Sequence, residues 1–258
     1  MDIFYSPSQF NRAFAAKMES RGGFPKSTRF VPLASRNEES IARELSGLAG
    51  RAAFIWEGGG THHYSYYFTK SSGASAKLNF DGHGDAVPTK RLQCGSHMHF
   101  SERDGNETYT VGSRLALDYA HSIASRHGRI AVTVDCDVLK NFPAHAQWIN
   151  YGDFGPSAED IAGFVSLASG RVLRLDIGGI VDTSHDLGSM VRNFKTVKDP
   201  LKPPEDLEAY TFARALEGTA DPAQILDWHI VDRVLGYAFS AYSEILQAFV
   251  KSQIISRR

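Results

Sequence analysis

Cysteine is nearly missing from this chain: Cys94 and Cys136 are the only two in 258 residues, too few for a disulfide framework. Both read as small buried filler rather than redox groups. An excess of either charge is missing as well. A net charge of −1 leaves no global basic footprint for nucleic acid or for an anionic membrane surface. No window approaches the roughly 18 uninterrupted apolar residues of a spanning helix. The opening MDIFYSPSQFNRAF lacks the basic-then-apolar order of a signal peptide. Cytoplasmic residence, with no membrane and no nucleic-acid partner, is the expectation. Internal repeats, low-complexity tracts and linkers are missing too, so residues 1–258 are expected to form one domain.

What is present suits a packed α/β protein. Hydrophobic residues make up 42% of the chain, enough at this length to bury a full core. Short apolar runs, AAFIW (52–56), AKLNF (76–80), RIAVTV (129–134), RVLRLDI (171–177) and the shorter DIFY (2–5), read as buried strands. Between them, NEESIARELSGLAG (37–50) and SRLALDYAHSIASRHG (113–128) carry three-and-four spacing and end at glycine. SAED (157–160) has capping-box order and predicts a helix starting after Ser157. Residues 182–206, polar and proline-bearing, read as a long surface excursion. LEAYTFARALEG (207–218) and VLGYAFSAYSEILQAFVKSQI (234–254) read as closing helices, the aromatic stripe of the second belonging to core or subunit interface. Strand–helix alternation predicts a three-layer α/β/α architecture around a mainly parallel sheet.

Chemistry-bearing residues recur at one place in this pattern. AAFIW leads into EGGGTHH (57–63), AKLNF into DGHGD (81–85), and RIAVTV into DCD (135–137). Ligands of open parallel sheets bind at the carboxyl ends of strands, so the three clusters converge on one crevice. Residues i and i+2 of extended chain point the same way. That alternation aims Asp81, His83 and Asp85 at one centre and Asp135 and Asp137 at it too, with Cys136 turned away. With a histidine from EGGGTHH, the crevice holds four carboxylates and two imidazoles. Such a concentration of negative charge is not tolerated without cations. One divalent ion leaves acids unneutralised, whereas two balance them. Oxygen donors with few nitrogens and no thiolate favour a harder ion such as Mn²⁺ over structural zinc. His121, His127, His145, His185 and His229 read as structural or surface residues.

These motifs, in this order over residues 52–182, resemble those of the arginase, or ureohydrolase, superfamily. GGTHH (59–63) resembles its Gly-Gly-Asp-His-Ser segment, FDGHGDAVP (80–88) its Asp-Ala-His-x-Asp segment, and VTVDCDVLKNFPA (132–144) its Asp-x-Asp strand end. YGDFGPSAEDIAGFV (151–165) and RVLRLDIGGIVD (171–182) resemble the stretches that follow. The resemblance implies two Mn²⁺ per chain, one held by His62, Asp81, Asp85 and Asp135 and the other by Asp81, His83, Asp135 and Asp137. It implies metal-assisted hydrolysis of a guanidino C–N bond, in which two cations acidify a shared water and Asp85 orients it. The family uses a histidine in the loop after the second motif to protonate the leaving amine. CGSHMHF (94–100) offers His99, the first choice, and His97. Assembly as trimers or hexamers is common in the superfamily, so a homo-oligomer is the expectation by analogy.

Departures from the family pattern bear on substrate. Thr61 replaces the acid before the first metal histidine, Val87 stands where free-arginine enzymes carry Asn, and Gly179 stands where a Glu faces the guanidinium. A free-arginine pocket is thus eroded while the ligand set is intact. That combination resembles members acting on larger guanidino substrates, including peptide arginases that convert arginine to ornithine within a peptide. Glu57 and Asp186 are candidates for the missing acid. A competing resemblance links GGGTHH to the paired histidines of single-zinc, deacetylase-like amidohydrolases, with His62 and His63 as base and acid. Asp85 and the Asp135/Asp137 pair have no use in such a one-metal site. The other alternative is a metal-binding scaffold without activity.

Overall fold

The computed structural model describes residues 1–6, 9–21, 23–34, 37–56, 61–140, 154–179 and 228–255. The expected excursion at 182–206, the helix at 207–218, and Glu57, Asp186, His145 and His185 lie outside the described residues. In chain order the elements are β1 (Asp2–Tyr5), α1 (Gln9–Arg21), β2 (Arg29–Pro32), α2 (Glu38–Ser46), β3 (Ala52–Ile55), α3 (Tyr64–Lys70) and β4 (Ala76–Phe80). They continue with α4 (His97–Arg103), β5 (Glu107–Val111), α5 (Leu117–Arg126), β6 (Ile130–Asp135), α6 (Ala158–Leu167), β7 (Val172–Gly178) and α7 (Trp228–Ile255).

The strands form one sheet in the order β2-β1-β3-β7-β6-β4-β5, and every adjacent pair is parallel. Helical crossovers between parallel strands put helices on both faces, so the three-layer α/β/α expectation holds. The strand runs AAFI, AKLNF and IAVTVD are buried along their whole length. Asn37 starts α2 by accepting hydrogen bonds from Glu39 N and Ser40 N. Ser157 and Asp160 make the reciprocal capping box of α6 that SAED predicts. The segment read as one helix from Ser113 begins with a short 3₁₀ turn at Arg114–Ala116 before α5.

Alternation gives the sheet two unlike faces. On one, Ile55, Leu78, Phe80, Val132, Val134, Leu175 and Ile177 pack with Phe164 of α6 and Tyr242 and Phe249 of α7, the aromatic stripe thus lying in the core. On the other, Ala52 and Phe54 of β3 and Trp56 just past it pack with Ile41 and Leu45 of α2 and Phe68 of α3. Further along that second face the row turns polar. Lys77 and Asn79 of β4, Thr133 of β6, and Arg174 and Asp176 of β7 are all buried. Arg174 is satisfied by the carbonyls of Phe68, Gly50 and Leu48. Among the described residues, no helix is long and apolar enough to cross a membrane.

Candidate metal centre

The carboxyl ends of β4 and β6 and the turn before α3 meet at one point. Asp81 and Asp135, each at or just past a strand end, and Asp137, in the 3₁₀ turn Cys136–Val138, are buried; Cys136 points into the apolar core. His62, buried in the turn before α3, puts Nδ1 3.5 Å from Asp81 Oδ2, 3.0 Å from Asp85 Oδ2 and 3.4 Å from Asp135 Oδ2. His83 puts Nδ1 3.3 Å from Asp81 Oδ1 and 2.8 Å from Asp137 Oδ2. Two groups of ligand atoms result. One contains His62, Asp81, Asp85 and His97; the other contains Asp81, His83 and Asp137, with ligand atoms within 4.8 Å of one another in each. Asp81 belongs to both, one oxygen toward each.

Local backbone makes this convergence. Gly82 N donates to Asp137 Oδ1 at 2.8 Å, and a Cβ on Gly82 would press on that carboxylate at 3.0–3.2 Å. His83 N donates to Asp81 Oδ1 at 2.6 Å, and Asn79 Nδ2 to Asp81 Oδ2 at 2.9 Å. Asp85 has φ +46°, the one non-glycine in the left-handed region among the described residues. That conformation costs on the order of 1–2 kcal/mol and turns the Asp85 carboxylate back toward His62. Backbone bonds from Met98 N to Asp85 O and from Val87 N to Gly95 O fold the following loop over the site. Gly179, past β7, has φ +88°, and a Cβ there would overlap Asp135 Oδ1. No acidic side chain fits at that position.

The electrostatics call for positive charge. Burial, together with repulsion between neighbouring acids, pushes Asp135 well above the ordinary carboxylate range. Burial also raises Asp81 and Asp137, and lifts Asp85 to about 6. His83, held between Asp137 and Asp81, is raised to about 10. His62 is driven down to about 4 by burial, so it is a neutral imidazole and a competent ligand. Oxygen donors crowded with two imidazoles suit a hard or borderline divalent cation, and a cation relieves the repulsion that lifts the acids.

Residues beneath the ligands orient His62. Asp176 accepts hydrogen bonds from Trp56 Nε1 at 3.0 Å, Ser65 Oγ at 2.8 Å and Thr133 Oγ1 at 2.5 Å. Because Thr133 gives its proton to Asp176, its oxygen accepts from His62 Nε2, 3.0 Å away. The lone pair of His62 is then on Nδ1, facing the carboxylates. Trp56 stacks on the imidazole with ring centroids 4.3 Å apart. Thr133, Asp176 and Trp56 escape a motif reading because each sits in or beside a run that looks merely apolar. Strand alternation is the signal that finds them, since Thr133 precedes Asp135 by two.

Of the two histidines in CGSHMHF, His97 is brought into the cluster. It is fully buried, with Nε2 3.0 Å from Asp85 Oδ2. His99 is two residues on in α4, roughly 200° around the helix axis, and sets its ring against Phe100. His63 pairs with Glu38 of α2 at 3.2 Å and takes part in neither ligand group. Val87 is exposed at the mouth of the loop.

No family model and no curated protein sequence matches the chain. Solved structures do. Proclavaminate amidino hydrolase from Streptomyces clavuligerus has a TM-score of 0.58 at 13% identity, over 97% of this chain and 92% of that one. A hypothetical agmatinase from Burkholderia thailandensis has 0.58 at 13%, over 99% and 86%. A formiminoglutamase from Trypanosoma cruzi, solved with Mn²⁺, has 0.55 at 12%, over 96% and 93%. At such identities the likeness is one of fold.

Proposed function

We propose that this chain, which has the arginase/ureohydrolase fold, is a metal-dependent hydrolase that cleaves a guanidino or amidino C–N bond with two Mn²⁺. The observation that carries the reading is Asp81: its two oxygens face two separate imidazole–carboxylate groups, as a carboxylate shared by two cations must. His62, Asp81, Asp85 and Asp135 would hold one ion, and Asp81, His83, Asp135 and Asp137 the other. When bound, the pair of ions supplies Lewis acidity, making a water nucleophilic near neutral pH.

The chain's own residues do the rest. Asp85 accepts a hydrogen bond from an incoming water and sets its line of approach. His97, with Nε2 against Asp85, supplies a proton to the departing nitrogen. The walls exclude bulk water, since His62, Asp81 and His97 are buried. An acid at position 179 is sterically ruled out by Asp135, so a substrate cation must be held from elsewhere, with Glu57 and Asp186 as candidates. Exposed Val87 in place of an amino-acid grip favours a guanidino group carried on something larger than free arginine, such as an arginine-containing peptide yielding ornithine and urea.

Manganese-loaded protein assayed against free arginine, agmatine, other guanidino and amidino compounds and arginine peptides, with urea and amine release measured, tests the reading. Turnover with about two Mn per chain supports it. Well-metallated protein that turns over none of the panel overturns it.

A further inference from the structure

One buried cation beneath the centre has no part in the reaction as described. Lys77 lies mid-strand in β4, on the polar row of the sheet, and is 1% exposed. Its Nζ is 3.0 Å from His97 Nδ1. An ammonium has three N–H donors and no lone pair, so His97 Nδ1 must accept. Burial lowers Lys77 to about 8, while Asp176 and Asp85 hold it up, and it keeps its proton at neutral pH.

A neutral imidazole carries one N–H. With Nδ1 accepting from Lys77, the proton of His97 is on Nε2, the nitrogen facing Asp85. A protonated nitrogen cannot ligate a metal. His97 therefore stays outside the metal set although it is within ligand distance of His62, Asp81 and Asp85. His62, whose ring centroid is 4.1 Å from that of His97, has the same tautomer turned the other way, with Nε2–H given to Thr133 and the unprotonated Nδ1 facing the carboxylates.

We infer that Lys77 is a positioning residue that sorts the two buried imidazoles, fixing His97 in the Nε2–H form as a proton donor and reserving metal ligation for His62. The proton count follows from the same contacts. As the C–N bond breaks, its electron pair stays on the departing nitrogen, which takes the proton from His97 Nε2. Nδ1 takes one from the Lys77 ammonium, so the imidazole stays neutral in its other form and Lys77 is left as an amine until solvent restores its proton. This donor role rests on the hydrolase reading above; the tautomer does not.

The experiment uses histidine-¹⁵N-labelled full-length protein, with and without diamagnetic Zn²⁺, His97 being identified by loss of its signals in H97Q. In the unsubstituted protein His97 should show a protonated Nε2 and an unprotonated Nδ1, and K77M should shift that pattern. In parallel, Mn-loaded K77M should keep its metal content while kcat falls about 10²- to 10⁴-fold with KM little changed. A His97 protonated on Nδ1, or one bound to Zn²⁺ through Nε2, overturns the inference, as does K77M with unchanged signals or unchanged kcat. Should K77M not fold, the unsubstituted spectrum decides alone. It also decides if no substrate is turned over, which separates failure of this inference from failure of the functional reading.

Discussion

Thr133→Val probes the orientation of His62 with almost no change in side-chain shape. Asp176 accepts three hydrogen bonds, and the shortest, from Thr133, fixes which way the Thr133 hydroxyl points. Valine removes that hydroxyl and leaves Asp176 its bonds from Trp56 and Ser65. His62 Nε2, 3.0 Å from the Thr133 oxygen in the parent, then faces a methyl group that accepts nothing. The imidazole proton is thereby driven onto Nδ1, where carboxylates accept it. Nδ1 is the atom 3.0–3.5 Å from three carboxylates, where a cation would be bound. Loss of such an outer partner costs roughly 10- to 100-fold in metal affinity, or about 1.4–2.7 kcal/mol. Loss of the buried hydrogen bonds costs about 1–3 kcal/mol of stability, so the metal-free protein should melt below the parent and stay folded. Calorimetric titration with Mn²⁺ and thermal unfolding in chelator measure both quantities. Folded T133V that binds metal with parental affinity would refute the hydrogen-bond relay.

Gly179→Ala should weaken metal binding by a similar factor and lower the melting temperature, since it puts a Cβ into Asp135 and an alanine at φ +88°; parental Mn²⁺ titration would contradict it. H97N should lose about 10²- to 10⁴-fold in kcat with metal retained, while H99N stays near the parent; rates for both on any accepted substrate decide, and the reverse order would move the donor role to His99. Metal affinity should climb with pH. Asp85 is raised from 3.8 to about 6, so in the metal-free chain its contribution to stability is full below about pH 3.8 and is lost as pH rises through about 6. His83, raised from 6.5 to about 10, loses its contribution only as pH passes about 10. Below about pH 6 incoming metal must displace a proton from Asp85 that is already gone above it, in addition to those displaced from His83 and the other raised carboxyls. Affinity measured from about pH 5 to 8 should therefore depend on pH more steeply on the acid side, and a flat profile would be the contrary result.

Much of the fold can be read directly from the chain because the central strands are buried on both sides. AAFIW, AKLNF and RIAVTV stand out as apolar runs, and the acids after them mark strand ends by sheer contrast. The edges are harder. β2 and β5 are partly exposed, with no apolar run to announce them, and the aromatic α3 lacks a polar face. Asp81, His83, Asp85, Asp135 and Asp137 are legible as a candidate ligand set because spacing carries them. Lys77 is not, since one lysine in an apolar pentamer reads as a strand blemish rather than as a group 3.0 Å from an imidazole. Choosing between His97 and His99 needs the phase of α4, which a seven-residue helix with no clear periodicity does not announce.

Lys77, Thr133 and Asp176 belong to strands, whereas the surroundings of a bound molecule come from the connections between them. Settings that govern acid–base behaviour are thereby anchored in the rigid middle of the molecule, out of reach of insertions at its rim. Connections can therefore be redrawn, and the surroundings of a bound molecule with them, while the buried polar row keeps its hydrogen bonds.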